Sequence, residues 1–423
     1  MRHTAWLLFA IVSLLPAATR PHYGGTLRMK VRFASLEPGA ENNLTPLVFD
    51  RLVTFSDSAQ PQPALAIAWR HDADFKRWEF QLRPGVKFHD GAPLTAAAVA
   101  AEFGVVAAVA QGDTLVLRSQ QPAPKLLHIL ASSSIFKRSA DGSIVGTGPF
   151  RITSGGPGHR IVLAANEDYW GGRPYLDAVE IETGRNLRDQ ALDFDLNKAD
   201  IVELGFTEAR RATQNGKRVW TSPPVSLLAL KFEASSDERV REAVALSIDR
   251  ATIHNVLLQK QGSPAAGILP QWLSGYAFLF SGARDLERAR QLAHGAAPVT
   301  LAYDPADATE RLIAERIAVN AREAGLVVRP AAGGSPVSTA RLVRNRINWP
   351  DLGQALGSMA PGTTASSPEA AYAAERALLQ DYQVVPLFHL PAIYGLGARV
   401  RGWGPSRWGG WKLEGVWLAA DAP

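Results

Sequence analysis

The chain has 423 residues, 46% hydrophobic and 20% charged, the make-up of a folded globular protein too long for one ordinary core. Its net charge of +5 is small and spread along the chain, which argues against a phosphate-tracking surface for nucleic acid. There is no cysteine, which excludes disulfides, thiolate metal sites, a cysteine nucleophile and a lipid-modified cysteine.

Residues 1–18 read as a secretory signal peptide. Arg2 and His3 precede the apolar run "AWLLFAIVSLL", which Pro16 closes before Ala17 and Ala18. The run has the length of a signal h-region and is short for a membrane span; the alternative is an uncleaved anchor. "GGTLRMKVRF" then alternates, with Leu27, Met29, Val31 and Phe33 on one face, and predicts a half-buried strand. "ASLEPGAENNLTPLVFDRL" opens as a loop before a short apolar element, and "RWEFQLR" alternates again through Trp78, Phe80 and Leu82. "DTLVLRS", "RIVLAAN" and "LDAVEIE" read as further strands.

Helices become prominent later. "DERVREAVALSIDR" places Val240, Val244 and Ser247/Ile248 on one face, with Asp237 and Glu238 at the positive end of the dipole. "ATERLIAERIAVNAREAG" repeats the pattern at Leu312, Ile313, Ile317, Ala321 and Ala324 and ends at Gly325, a candidate C′ glycine. Interleaved strands such as "PVTLAYD" and "LVVRP" make this an α/β region. Ala331 to Pro368 is Gly/Ser/Pro-rich with little periodicity.

Catalytic and metal signals are weak. Nine histidines are scattered without H-E-x-x-H or another close ligand pair, so neither a metal nor a cofactor is expected. Ser134 to Lys137 fits S-x-x-K, a nucleophile motif of penicillin-recognising enzymes, but the companion S-D-N and K-T-G motifs are absent. A periplasmic serine hydrolase using Ser134 and Lys137 therefore stands only as an alternative of another class, and no catalytic residue is assigned. In "FQLRPGVKFHDGAPLTAAAV", Pro84-Gly85 and Asp90-Gly91 are turn pairs and Thr95 suits a helix N-cap. His89 reads as a surface or packing residue at the bend, and Asp90 as a side chain bonding the backbone two residues on.

That segment also resembles the hallmark of the extracellular solute-binding proteins of family 5, the dipeptide-, oligopeptide- and nickel-binding components of ABC importers. So do "GGTLRMKVRFASLEP", "PALAIAWRHDADFKRWEFQLRPG", "GTGPFRI" with "NEDYWGGRPYLDAVEI", "DERVREAVALSIDRATI" and "VVPLFHLPAIYGLGARVRGW", in the family's order over most of the chain. The resemblance implies an α/β, two-lobed type II periplasmic-binding fold whose lobes are hinged by two crossing segments. It places lobe 1 at 19–235 plus 385–423, with a family-specific subdomain at 47–145, and lobe 2 at 236–384. "LLALKFEA" and "VVPLFHLP" would be the crossings. This chain departs from the family in Ala96, Ala97 and Ala98, where acidic residues usually follow the capping threonine, and in a cut-down second lobe between Pro330 and Glu369.

The resemblance further implies a periplasmic, monomeric binding component that captures a small ligand, most simply a short peptide, and delivers it to membrane permease subunits. A shortened relative acting as a sensor, or binding a nickel chelate, sugar or opine, is the alternative. Peptide-binding members carry an acidic residue for the peptide's amino group, and "NWPDLGQ" as its remnant makes Trp349 and Asp351 candidates. The loop Glu37 to Thr45 would face the cleft, which makes Asn42, Asn43 and Thr45 candidate ligand contacts. Tyr394 and Trp403, near the C-terminal return, would line the interlobe space. For each of these residues the alternative is ordinary loop or core chemistry.

Overall fold

The computed structural model describes residues 20–37, 43–102, 107–139, 142–155, 160–275, 280–333, 338–348, 350–360, 362–405, 407–408 and 410–420. Residues 1–18, expected to be a signal peptide, and two candidate contacts, Asn42 and Trp349, lie outside them.

One eleven-stranded sheet runs through the molecule. Its strands in chain order are β1 (Thr26–Lys30), β2 (Phe150–Gly155), β3 (Arg160–Ala165), β4 (Ala178–Glu182), β5 (Ile201–Glu203), β6 (Arg218–Phe232), β7 (Ser263–Pro264), β8 (Val299–Tyr303), β9 (Val328–Ala332), β10 (Ala340–Arg346) and β11 (Val384–Leu396). The spatial order is β2-β3-β4-β1-β5-β11-β6-β10-β8-β9, with β7 on the flank of β11. β1 runs parallel to β4 and β5, and β8 runs parallel to β9 and β10, so each lobe carries its own parallel block. Between the blocks lie β6 and β11, antiparallel from Arg218↔Leu396 to Lys231↔Val384. At about 3.3 Å per residue these strands are long enough to cross from one lobe to the other. Pro223 and Pro224 lack the N–H that the ladder needs, and the register slips between Thr221, Pro224 and Ser226.

Alternation explains the burial. Leu27, Met29 and Val31 pack with Val179, Ile181, Phe150 and Trp411 into the core of the first lobe. Phe33, expected on the same face, is 68% exposed, because the strand ends at Lys30 and the face is no longer propagated. A separate four-stranded sheet (Ala66–His71, Arg77–Leu82, Ala107–Gln111 and Thr114–Arg118) buries Trp78, Phe80, Leu115 and Leu117 against Leu52 and Phe55. In the second lobe, helices Glu238–Ser247 and Ala308–Glu323 bury Val240, Val244, Ile313 and Ile317 against Leu301 and Phe388. Leu312, assigned to that stripe, is instead 42% exposed, while Gly325 takes the expected positive φ after the helix. The stretch from Ala331 to Pro368 holds more order than its composition suggests, with β10 and helix Leu352–Met359.

In the hallmark segment Thr95 Oγ1 accepts from Ala98 N at 3.1 Å and caps helix Ala96–Glu102, and Asp90 Oδ1 accepts from Ala92 N at 3.1 Å. Of the two readings offered for His89, packing at the bend is the one seen, and the ring is half-buried. Its Nε2 lies 2.9 Å from Gly148 O, and burial lowers its pKa. Nearby, the Asp50 carboxylate accepts from Thr147 Oγ1 (2.9 Å), Tyr169 OH (3.2 Å) and Trp170 Nε1 (2.8 Å). It thereby ties the "NEDYWGG" turn to the start of the subdomain. Burial pushes its pKa up to about 6, against the effect of those three bonds.

Because the folded state binds this proton more tightly than the unfolded chain, Asp50 contributes stability that is full below about pH 4 and lost as pH rises through about 6. Urea unfolding of the wild type and Asp50→Asn should therefore show the difference moving in favour of the Asn variant between pH 4 and 7. Asp50→Ala strands three buried donors and should destabilise by about 2–4 kcal/mol at either pH.

Candidate functional site

In each lobe the carboxyl ends of the parallel strands point to one place, where open α/β sheets form ligand crevices. A cavity of about 230 Å³ lies there. One lobe supplies Arg32, just past β1, and Glu203, which ends β5. It also supplies Gly205 and Phe206 at the start of helix Phe206–Gln214. The other supplies Asp307, Thr309, Glu310 and Ile313 from helix Ala308–Glu323 with Arg344 and Arg346 of β10. The crossing strands form the rear wall with Val225, Ser226 and Leu390 to Tyr394, beside the slip in their register.

An ion pair closes this space. Arg32 Nη1 donates to Asp307 Oδ2 at 2.9 Å across the lobes, and Arg32 Nε reaches Glu203 Oε2 at 3.4 Å within its own lobe. Asp307 is only 2% exposed, and its other oxygen accepts from Thr309 N (2.9 Å) and Glu310 N (3.3 Å) as the helix N-cap. Although burial opposes it, Glu203 and then Asp307 hold the Arg32 guanidinium above its ordinary pKa. Burial, then Asp307, lifts Glu310 to about 7. Burial and then Arg32 lower Arg344, whose Nη1 reaches Asp307 only at 3.8 Å. Arg346 Nη1 donates to Asn43 Oδ1 at 2.8 Å, and Asn43 Nδ2 reaches Tyr394 OH at 3.4 Å.

Of the residues singled out in the sequence, Asn43 and Tyr394 meet on the cavity wall. Trp403 stands behind Tyr394, ring centroids 5.0 Å apart and nearly perpendicular. Thr45 is buried in the short helix Thr45–Val48, away from the wall. Asp351 also lies elsewhere: it caps helix Leu352–Met359 by accepting from Gln354 N, and pairs with Lys125 Nζ at 2.7 Å. The charged wall residues Arg32, Glu203, Asp307, Glu310, Arg344 and Arg346 were not anticipated. The usable sequence signal was the "DATE" cap at the head of an amphipathic helix, which fixes where Asp307 and Glu310 sit.

Ser134 and Lys137 do not form a helical turn. Ser134 bridges to Arg51 and Lys137 opens the strand Lys137–Arg138. Three residues of extended chain span about 10 Å and reverse the face. Lys137 Nζ is held by Asp90 Oδ2 at 2.6 Å and sits over the Phe88 ring. Among the described residues no group of three or more His, Cys, Asp or Glu is arranged to hold a metal, and no helix is long and apolar enough to cross a membrane.

Residues 60–113 and 104–372 match the family model of the bacterial extracellular solute-binding proteins, family 5. The chain belongs to that family. Among curated members, it is 37% identical to the uncharacterized protein YhjP of Bacillus subtilis over 161 residues, 33% of this chain and 28% of that one. It is 24% identical to the probable D,D-dipeptide-binding periplasmic protein DdpA of Escherichia coli over 270 residues, 54% of this chain and 52% of the relative. The chain thus matches about half the length, or less, of these family 5 relatives. Among solved structures, the oligopeptide-binding protein AppA of Bacillus subtilis, in complex with a nonapeptide, superimposes with a TM-score of 0.82. That match has 16% identity and covers 95% of this chain and all of that one. The two-lobed family fold is therefore present here.

Arg32→Gln removes the cation from Asp307 but leaves its cap donors in place, and should cost about 1–3 kcal/mol. Asp307→Asn keeps the cap. A double-mutant cycle of the two by urea unfolding should return a coupling of about 1–3 kcal/mol. Additive single effects would show that the lobes are not joined by this pair.

Proposed function

We propose that this chain is the binding component of an ABC importer, capturing a short peptide between its lobes and handing it to membrane permease subunits. The observation that carries the reading is the interlobe cavity, whose wall combines side chains from both lobes with the two crossing strands. Residues 19–235 with 385–423 would move as one body and 236–384 as the other, bending where β6 and β11 lose register. The cavity's 230 Å³ falls below the roughly 300–1,000 Å³ typical of drug-sized ligands and fits a dipeptide better than a long peptide. Relatives named for dipeptides, and a dipeptide-binding protein of Pseudoalteromonas seen with Met-Leu at a TM-score of 0.82, support the ligand class. Periplasmic placement after removal of residues 1–18, a monomeric state and ATP hydrolysis left to a partner subunit complete the proposal.

Melting the purified protein against a dipeptide library tests it. A ligand at a hundredfold over its Kd should stabilise the fold by about 2.7 kcal/mol, and small-angle scattering should show no expansion on binding. A melt unmoved by every dipeptide, with no ligand co-purifying in native mass spectrometry, overturns the reading.

A further inference from the structure

The cavity's charges are not equally available. Asp307 is spent twice, on its own helix cap and on Arg32, and Glu203 Oε2 accepts both Arg32 N (2.9 Å) and Arg32 Nε. Glu310 accepts from Asp304 N at 3.2 Å, and burial raises its pKa to about 7. The guanidinium groups of β10 are different. Arg346 meets only the neutral Asn43, no described carboxylate lies within 4.0 Å of it, and its buried Nε has no partner. Arg344 has only long contacts, to Ser226 Oγ and Pro391 O at 3.4 Å each and to Asp307 at 3.8 Å. Residues 344 and 346 share a face of β10, so two under-satisfied cations line one wall about 7 Å apart at their Cβ atoms. The acidic residue next along the chain, Asp351, is paired with Lys125 and is not on the cavity wall.

We infer that the ligand is a small organic anion carrying an acidic group beyond one terminal carboxylate, an acidic dipeptide or a dicarboxylate, whose oxyanions are taken by Arg344 and Arg346. Guanidinium–carboxylate bonds are the strong, charge-assisted kind, and both donors are already aimed at the cavity. The inference rests on the binding role proposed above and specifies its ligand.

Calorimetric titration of the full chain at low salt with Ala-Glu, glutarate and Ala-Ala tests it, alongside Arg344→Gln, Arg346→Gln and Arg346→Lys. Binding of Ala-Glu, of glutarate or of both, at least about tenfold tighter than Ala-Ala, is expected, and the acidic probe that binds identifies the source. Arg346→Gln should weaken that probe by about ten- to a hundredfold, with Arg346→Lys recovering part of the loss and all variants melting cooperatively. Ala-Ala binding as tightly as Ala-Glu, indifferent to both arginines, overturns the anionic class and leaves peptide capture standing. Acidic binding that survives both Gln variants overturns the assignment of Arg344 and Arg346. Failure of all three probes overturns the inference; if no dipeptide in the library moves the melt either, the binding role falls with it.

Discussion

Everything in this molecule hangs on the pairing of β6 with β11. Among the described residues the two parallel blocks of strands have no direct ladder between them, and the sheet connects them through this antiparallel pair. The pair is also fastened to the second lobe from the side. Arg250, buried and lowered to about 10 by that burial, donates Nε and Nη2 to Pro386 O at 3.2 and 2.9 Å, and Nη1 to Gly282 O at 3.0 Å. A guanidinium spent wholly on carbonyls is costly to bury and rigid once satisfied, so β11 is anchored at Pro386, where the register shifts again between Leu228 and Ala229. The slip at Pro223 and Pro224 is where the ladder is weakest, and it forms the rear wall of the cavity. The hinge proposed above and the site wall are thus the same piece of backbone.

The charges follow from that geometry. Parallel strands deliver their carboxyl ends, and the helices after them their N-termini, to the space between the lobes. Glu203 ends one such strand and Asp307 begins one such helix, so both carboxylates have local backbone reasons to be there before any partner from the other lobe is considered. Arg32 then serves both. β10 contributes cations instead, because its antiparallel pairing to β6 turns Arg344 and Arg346 toward the crossing strands, with Arg346 opposite Ser226 and Arg344 opposite Leu228.

The sequence shows the fold far better than the site, for a physical reason. Strands and helices announce themselves over seven to fifteen neighbouring residues, so "LRMKV", "RWEFQL" and "DERVREAVALS" were legible, and the hallmark turn could be read to the level of the Thr95 cap. Errors came where an element ended early, as at Phe33, or where a position near the edge of the apolar stripe faced solvent, as at Leu312. The cavity draws Arg32, Glu203, Asp307 and Arg346 from four separate elements, and no local pattern records which strand ends will meet. β10 was missed for a further reason. "ARLVRNR" breaks apolar alternation just where its arginines turn into the cavity, so the feature that makes it a site erased its signature as a strand.

The dual use of Asp307 bears on how such a site can open. A carboxylate buried only to serve a partner would become an unpaired buried charge once the lobes separated, and closure would then be nearly irreversible. Asp307 keeps its two backbone donors and the positive end of a sixteen-residue helix whether or not Arg32 is present. Arg32, 30% exposed, passes to solvent easily and retains Glu203. Both halves of the latch therefore have a resting partner in their own lobe. The free energy holding the empty lobes together is then the small difference between two well-satisfied states, which in the binding role proposed above would let a ligand of modest affinity decide the balance.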